Sequence, residues 1–215
     1  MPQQAAAATS AGGQSRKTAR ILDAAREMFL AHGFGATSMD ALARCAGVSK
    51  ATIYAYFDGK EALFAALVSE ECARLDGEIA TSSATGESPG TALPRLAGQF
   101  LALLLSPWAL AIHRVVVAEA PRFPELGIVF YRAGCAAMKA RLEAYLRQAV
   151  ARGELVVPDP ALATTQLIGL IRGDLQLRCL LEPSLRPSPA EIDRYACAAV
   201  DVFLAAYGKH GTGAA

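Results

Sequence analysis

Thr37-Ser38-Met39-Asp40-Ala41-Leu42-Ala43-Arg44-Cys45-Ala46-Gly47-Val48-Ser49-Lys50-Ala51-Thr52-Ile53-Tyr54-Ala55-Tyr56-Phe57-Asp58-Gly59-Lys60-Glu61-Ala62-Leu63 is the stretch that decides how this chain reads. Thr37 with Asp40 has the spacing of a capping box opening a helix. Met39, Leu42, Ala43 and Ala46 give that helix one inward face. Gly47 supplies a tight turn, and Ser49 caps a second short helix. Ile53 and Phe57 lie four apart and pack inward together. Lys50, Ala51, Thr52, Tyr54, Ala55 and Tyr56 are left on the outer surface. Small Ala51 and Ala55 let a backbone approach base edges, and Ala or Thr methyls suit a thymine methyl. The Tyr54 and Tyr56 hydroxyls can reach phosphate or a base edge. Lys50 adds charge at a helix start, where the dipole also favours phosphate. Thr37, Ser38 and Lys60 are further candidates for phosphate contact, and Ser49 completes the set. Otherwise the two tyrosines would be unexplained apolar surface.

The charge distribution agrees with a DNA-facing head. The whole chain is net +1, but Arg16 to Lys60 holds seven Lys/Arg against four Asp/Glu, leaving the remainder net −2. A basic end on a slightly acidic body suits a protein that touches phosphate with one end.

Outward from this stretch the signals are helical. Ile21, Ala25, Met28 and Phe29 follow helical spacing and Gly33 supplies a stop. Asp58 and Glu61 open a helix running toward Ile79. Thr81 to Pro94 is rich in Ser, Thr, Gly and Pro and reads as a loop. Helices are expected at about 91–105, 107–120, 124–152, 160–182 and 189–207. Ser106-Pro107, Asp159-Pro160 and Ser188-Pro189 each place a cap before a first-position proline, and Gly153 ends the long helix. The class is all-α: a three-helix helix-turn-helix domain over 16–62, then a larger helical domain over 63–208. Residues 1–15 and 209–215 read as tails, the first disordered by composition.

Residues 16–64 resemble the N-terminal domain of the TetR family of bacterial transcriptional regulators. The resemblance is carried by Ile21-Leu22-Asp23-Ala24-Ala25, Phe29, Gly33-Phe34, Thr37-Ser38-Met39, Ala43, Ala46 through Tyr54, Phe57 and Lys60 through Leu63. Ala55-Tyr56 departs from the more polar pair common in relatives, which bears on base preference. Residues 107–182 resemble the AefR-like branch, through His113 to Leu126 and Gly169 to Asp174. The resemblance implies about nine helices, a homodimer, a double-stranded DNA operator and a small-molecule effector, in a bacterial cytoplasm.

An effector cavity would lie among the helices after Phe64. Candidates are Phe100, Leu104, Trp108, His113, Val116, Phe130, Tyr131, Cys135, Met138, Arg172 and Gln176, mostly apolar with a few orienting polar groups. For any single Phe, Leu or Met among them, and for His113, plain core is the readier reading than ligand contact. Arg172 and Asp174 lie in an otherwise apolar helix. Being two apart, they point in different directions, so each needs a partner elsewhere, for which Glu119, Arg114 and Arg122 on another helix are candidates. Gly169 and Gly173 would let a second helix approach closely. With Leu167, Ile171, Val200, Phe203 and Leu204 they suit a dimer interface, intramolecular packing being the competing use.

Several classes are disfavoured. Cys45, Cys72, Cys135, Cys179 and Cys197 form no Cys-x-x-Cys pair and read as reduced thiols, and no metal or cofactor is implied. The most apolar window, Leu96 to Ile112, is interrupted by Gln99, Ser106 and Pro107, so two buried helices are expected instead of a membrane span. No nucleophile motif or phosphate-cradling glycine loop marks an enzyme. The expectation is a ligand-released repressor on a palindromic operator. An architectural DNA binder without effector is the alternative, with a small-molecule enzyme a distant third.

Overall fold

In the computed structural model, the described residues are 3–209, with side chains from residue 16 onward. Helix α1 is Gln3–Ala36, α2 Met39–Ala46, α3 Lys50–Tyr54, α4 Lys60–Thr85, α5 Pro89–Leu104 and α6 Pro107–Glu119. Then come α7 Pro124–Phe130, a π-helical segment Tyr131–Ala136, α8 Ala137–Ala151, α9 Pro160–Arg172, α10 Leu175–Leu181 and α11 Pro189–Tyr207. Apart from one isolated bridge between Leu155 and Gly208, no β-pairing occurs among the described residues. The all-α expectation holds.

Most punctuation is where the sequence puts it. Ser49, Ser106 and Ser188 accept the backbone N–H of Thr52, Ala109 and Glu191, and Asp159 accepts from Ala161 and Leu162. Each satisfies a first-turn donor that the helix itself cannot. Gly47 turns left-handed at φ 61°, and the Val48 N–H reaches back to the Ala43 carbonyl at 3.0 Å. This closes α2 with a Schellman-type ending.

Four expectations need correction. The cap of α2 is Ser38, which accepts from Ala41, not Thr37. The loop expected over Thr81–Pro94 shrinks to the break between Thr85 and Pro89. Thr81 and Thr85 satisfy their hydroxyls inside α4 on the Gly77 and Thr81 carbonyls, at 2.9 and 3.0 Å. Pro94 sits inside α5 without ending it, although it has no N–H to donate to the Gly90 carbonyl one turn back. The helices expected at 124–152 and 160–182 are each split, which accounts for the elements beyond nine. The first break is the π-helical segment around buried Gly134, and the second is at Gly173, where φ is 48°. Finally, α1 takes in Gln3–Ser15, read from composition as a disordered tail; its Ala5–Ala8 run consists of the strongest helix former. The helix is interrupted at Gly33, with φ 76°. Of the 209–215 tail, residues 210–215 lie outside the described residues, as do Met1 and Pro2.

Packing divides the chain into two units. One holds the chain up to Glu70 with Ala111–Ala133; the other holds Glu71–Leu110 and Gly134 onward. The boundary therefore differs from a simple cut after residue 62, because the end of α6 and all of α7 pack with the first unit. Its core centres on Phe29, Phe34 and Phe64, whose rings form a triangle with centroids 5.5–5.8 Å apart. The second unit packs α4, α5, α8, α9, α10 and α11 around Leu93, Leu101, Tyr145, Leu167 and Phe203, all nearly inaccessible.

Candidate nucleic-acid interface

The inward residues behave as spacing requires. Leu42, Ala43, Ala46, Ile53 and Phe57 are buried, leaving Lys50, Ala51, Tyr54 and Ala55 exposed, with Thr52 and Tyr56 half-buried. Tyr54 is 47% exposed on a helix of five residues. The exposed Ser49 hydroxyl sits 2.8 Å from that of Thr52, so one polar corner marks the start of α3. Lys50 Nζ lies 3.0 Å from Asp40 on α2, with both side chains about half exposed. Such a surface pair is weak, and the ammonium is free to exchange it for phosphate.

Two anticipated phosphate contacts are instead internal. Thr37 is buried, its hydroxyl donating to the carbonyls of Gly33 at 2.7 Å and Met28 at 3.3 Å. Lys60 Nζ donates to the carbonyls of Phe34 at 2.6 Å and Thr37 at 3.0 Å, and lies 4.2 Å from the Phe34 ring centroid. Partial burial pushes the Lys60 ammonium below the ordinary lysine range, opposed by Glu61, Glu119 and Glu125. It gathers carbonyls at the end of α1, where a cation is favoured. Ser38 remains exposed at the start of α2.

Two organising residues escaped the sequence reading. Arg20 donates from Nη2 to the carbonyl of Ala46 at 2.7 Å and of Gly47 at 3.3 Å, clasping the turn between α2 and α3. A Cβ on Gly47 would lie 2.6 Å from that nitrogen, so the glycine serves the clasp as well as the turn. Glu119, at the end of α6, accepts from the Phe34 N–H at 3.1 Å and the Gly35 N–H at 2.6 Å. Glu119, by sequence a candidate partner of Arg172, is engaged on this turn instead. Neither pairing follows any short-range spacing.

The body candidates scatter. A cavity of about 20 Å³ lies among Leu75, Ile79, Leu93, Leu96, Phe100, Met138, Leu142, Leu167, Ile168 and Ile171. Only Phe100 and Met138 of the eleven effector candidates line it. His113 packs edge-on against Phe130 at 5.9 Å, and Val116 is core. These three and exposed Tyr131 belong to the first packing unit. Leu104 and Trp108 are half-buried and Cys135 is exposed. Arg172 Nε donates to Gln176 at 2.5 Å, so its partner is a buried amide one turn on. For the dimer set, Leu167, Ile171, Val200 and Phe203 are buried within this chain and unavailable to a second one, while Leu204 is half-buried. Gly169 and Gly173 are exposed.

A capped α2, a left-handed glycine turn and a short α3 with an outward polar and phenolic face define a helix-turn-helix DNA-binding head. Residues 21–67 match the family model described as bacterial regulatory proteins, tetR family, and residues 91–209 match the AefR-like transcriptional repressor C-terminal domain. The flavonoid-responsive regulator FrrA is 37% identical, with a TM-score of 0.74 over 92% of this chain and 100% of its own. A TetR-family regulator of Mesorhizobium loti is 33% identical, with a TM-score of 0.76 over 91% of this chain and 98% of its own. An HTH-type transcriptional regulator of Mycobacterium tuberculosis is 42% identical over 74 residues, 34% of this chain and 37% of the relative. That last likeness thus spans well under two thirds of the curated relative's length. The chain belongs to the TetR family of bacterial transcriptional regulators. The family and these relatives are regulators, not enzymes.

Proposed function

We propose that this protein is a ligand-released repressor that binds a palindromic operator as a homodimer in the bacterial cytoplasm. The observation that carries DNA reading is the outward face of α3, where Lys50, Ala51, Tyr54 and Ala55 are exposed over buried Ile53. Ser38, Ser49, Thr52 and Tyr56 complete the contact surface; Thr37 and Lys60 support it from inside. No single helix among the described residues is long and apolar enough to cross a membrane.

Dimerisation is supported by a second feature. Leu162 and Leu170 on α9 and Leu177 and Leu181 on α10 are 40–76% exposed, and Gly169 and Gly173 are exposed as well. Val202 is 56% exposed on α11. We assign the dimer contact to these exposed side chains, because Leu167, Ile171, Val200 and Phe203 are buried within the chain. Two heads about 34–36 Å apart would read half-sites one helical turn apart.

The effector reading rests on the likeness to a flavonoid-responsive relative and on the apolar cavity between α4, α5, α8 and α9. At about 20 Å³ the cavity holds little more than a water, whereas ligand pockets occupy ~300–1,000 Å³. Seating an effector in this cavity requires the body to open, into a state the effector must favour over the DNA-bound one. Selection of duplexes from a random pool tests DNA reading, and a screen beginning with flavonoids tests release of the selected site. Equal ligand affinity with and without the operator would refute ligand release, since linkage is reciprocal.

A further inference from the structure

We propose that Glu119 is a positioning residue for DNA reading: its carboxylate, seated on the successive amides of Phe34 and Gly35, sets how the α1–α2 turn presents the reading helix. The inference rests on the DNA-binding reading above. Glu119 lies 84 and 85 residues from its partners, so nothing local requires the contact.

The seat is built from both sides. Glu119 is the last residue of α6, where the helix dipole disfavours an anion. Two charge-assisted hydrogen bonds from the turn offset that cost. Successive backbone N–H groups beside a positive-φ glycine form an anion-binding concavity. On the turn, Gly33 has φ 76°, and a Cβ there would overlap Glu119 Oε1. A Cβ on Gly35 would lie 2.5 Å from Phe123 Cε2. Only bare backbone fits beneath the carboxylate and the ring.

From the opposite side the same turn is tied down by Lys60 on the carbonyls of Phe34 and Thr37, and by the Thr37 hydroxyl on Gly33. Ser38 follows at once as the cap of α2, and Arg20 on α1 holds the Ala46 and Gly47 carbonyls at the turn that leads into α3. A change at the seat is thereby passed through Ser38 and α2 to the reading element. A shift of α6 by about 1 Å would part the 2.6 Å bond to Gly35.

The test uses the full chain, a duplex selected by the wild type from a random pool, and a mixed-sequence duplex of equal length. Glu119→Ala should stay helical and cooperative, lose about tenfold in affinity for the selected duplex and keep its affinity for the mixed one. The Phe34 and Gly35 amide resonances should move upfield as their acceptor is lost. Glu119→Gln, which keeps the volume and one acceptor, should fall between, and it gives the same comparison should the alanine variant not fold. Gly33→Ala should cost less in the Glu119→Ala background than alone, because the overlap is gone. Wild-type affinity for the selected duplex in Glu119→Ala overturns the inference. So does an equal loss on both duplexes that tracks unfolding. If the wild type selects no duplex, DNA reading itself falls, and this inference with it.

Discussion

In the first packing unit, polar side chains remote in sequence hold the backbone around the α1–α2–α3 element. In the second, polar side chains mainly cap helices or pair at the surface while apolar ones fill the interior. Ser38, Thr37, Lys60, Arg20 and Glu119 each satisfy identifiable amides or carbonyls around the α1–α2–α3 element. The body instead packs Leu, Ile, Ala and Phe around a cavity of about 20 Å³. The difference shows where precision is needed. A reading helix must be held at one angle, which directional bonds do well. A body that admits a ligand, as proposed above, can rely on burial, which is non-directional and allows repacking.

The largest effects should come from the two cores. Phe29→Ala removes the ring that contacts both Phe34 and Phe64 and should cost about 3–5 kcal/mol in urea unfolding, with loss of operator binding. Leu101→Ala in the body should cost about 2–5 kcal/mol yet leave the operator affinity of the folded fraction unchanged. If both variants lose DNA binding equally per unit of stability, the contrast between the two regions fails.

Two lysines sharpen the contrast within the head. Lys60→Ala leaves two carbonyls without their charged donor and should cost about 1.5–3 kcal/mol of stability, with the salt dependence of DNA binding unchanged. Lys50→Ala should leave stability nearly untouched and lower the salt slope by about one. Binding isotherms at several salt concentrations would show whether these roles are reversed.

The body offers a pH test. Burial pushes the Tyr145 phenol up to about 12 from an ordinary 10.0, and the Cys72 thiol up to about 11 from 9.0. In the unfolded chain both ionise earlier, so their contribution is complete below about pH 9 and is lost as pH rises toward 12. The loss at Tyr145 should reach about 2 kcal/mol by the end of that range. Tyr145→Phe, which also forfeits the hydrogen bond to the Glu87 carbonyl, should flatten this arm of the stability profile. An alkaline denaturation curve that is identical in the two proteins would contradict it.

Legibility followed the same divide. Caps, proline starts and glycine stops are short-range chemistry, so α3, α6, α9 and α11 could be placed from residue types alone. Even so, Thr37 and Ser38 exchanged roles, because both can cap and only packing shows which turns inward. Glu119 and Arg20 were not visible as organisers, since their partners are backbone groups remote in sequence. In the body, Leu167 and Leu170 look alike in the chain, yet one is core and the other is 40% exposed. Apolar residues on a two-faced helix carry no mark of which neighbour covers them, so effector and dimer assignments drifted while the fold class did not.

The smallest effect isolates function from stability most cleanly. Ser49 and Ser188 cap α3 and α11 in the same way, at 3.1 and 3.2 Å from the third helical N–H. Replacing either by alanine should cost about 1 kcal/mol, because an orphan first-turn donor loses its acceptor. The caps differ in their surroundings. Ser49 shares its hydroxyl with Thr52 at the exposed start of α3, whereas Ser188 opens a helix whose inner face is body core. Ser49→Ala should therefore weaken operator binding beyond its effect on stability, and Ser188→Ala should not. Thermal unfolding alongside gel shifts of both variants separates the cases: matched stability losses with matched affinities would mean that the start of α3 is only a helix end, not part of a reading surface.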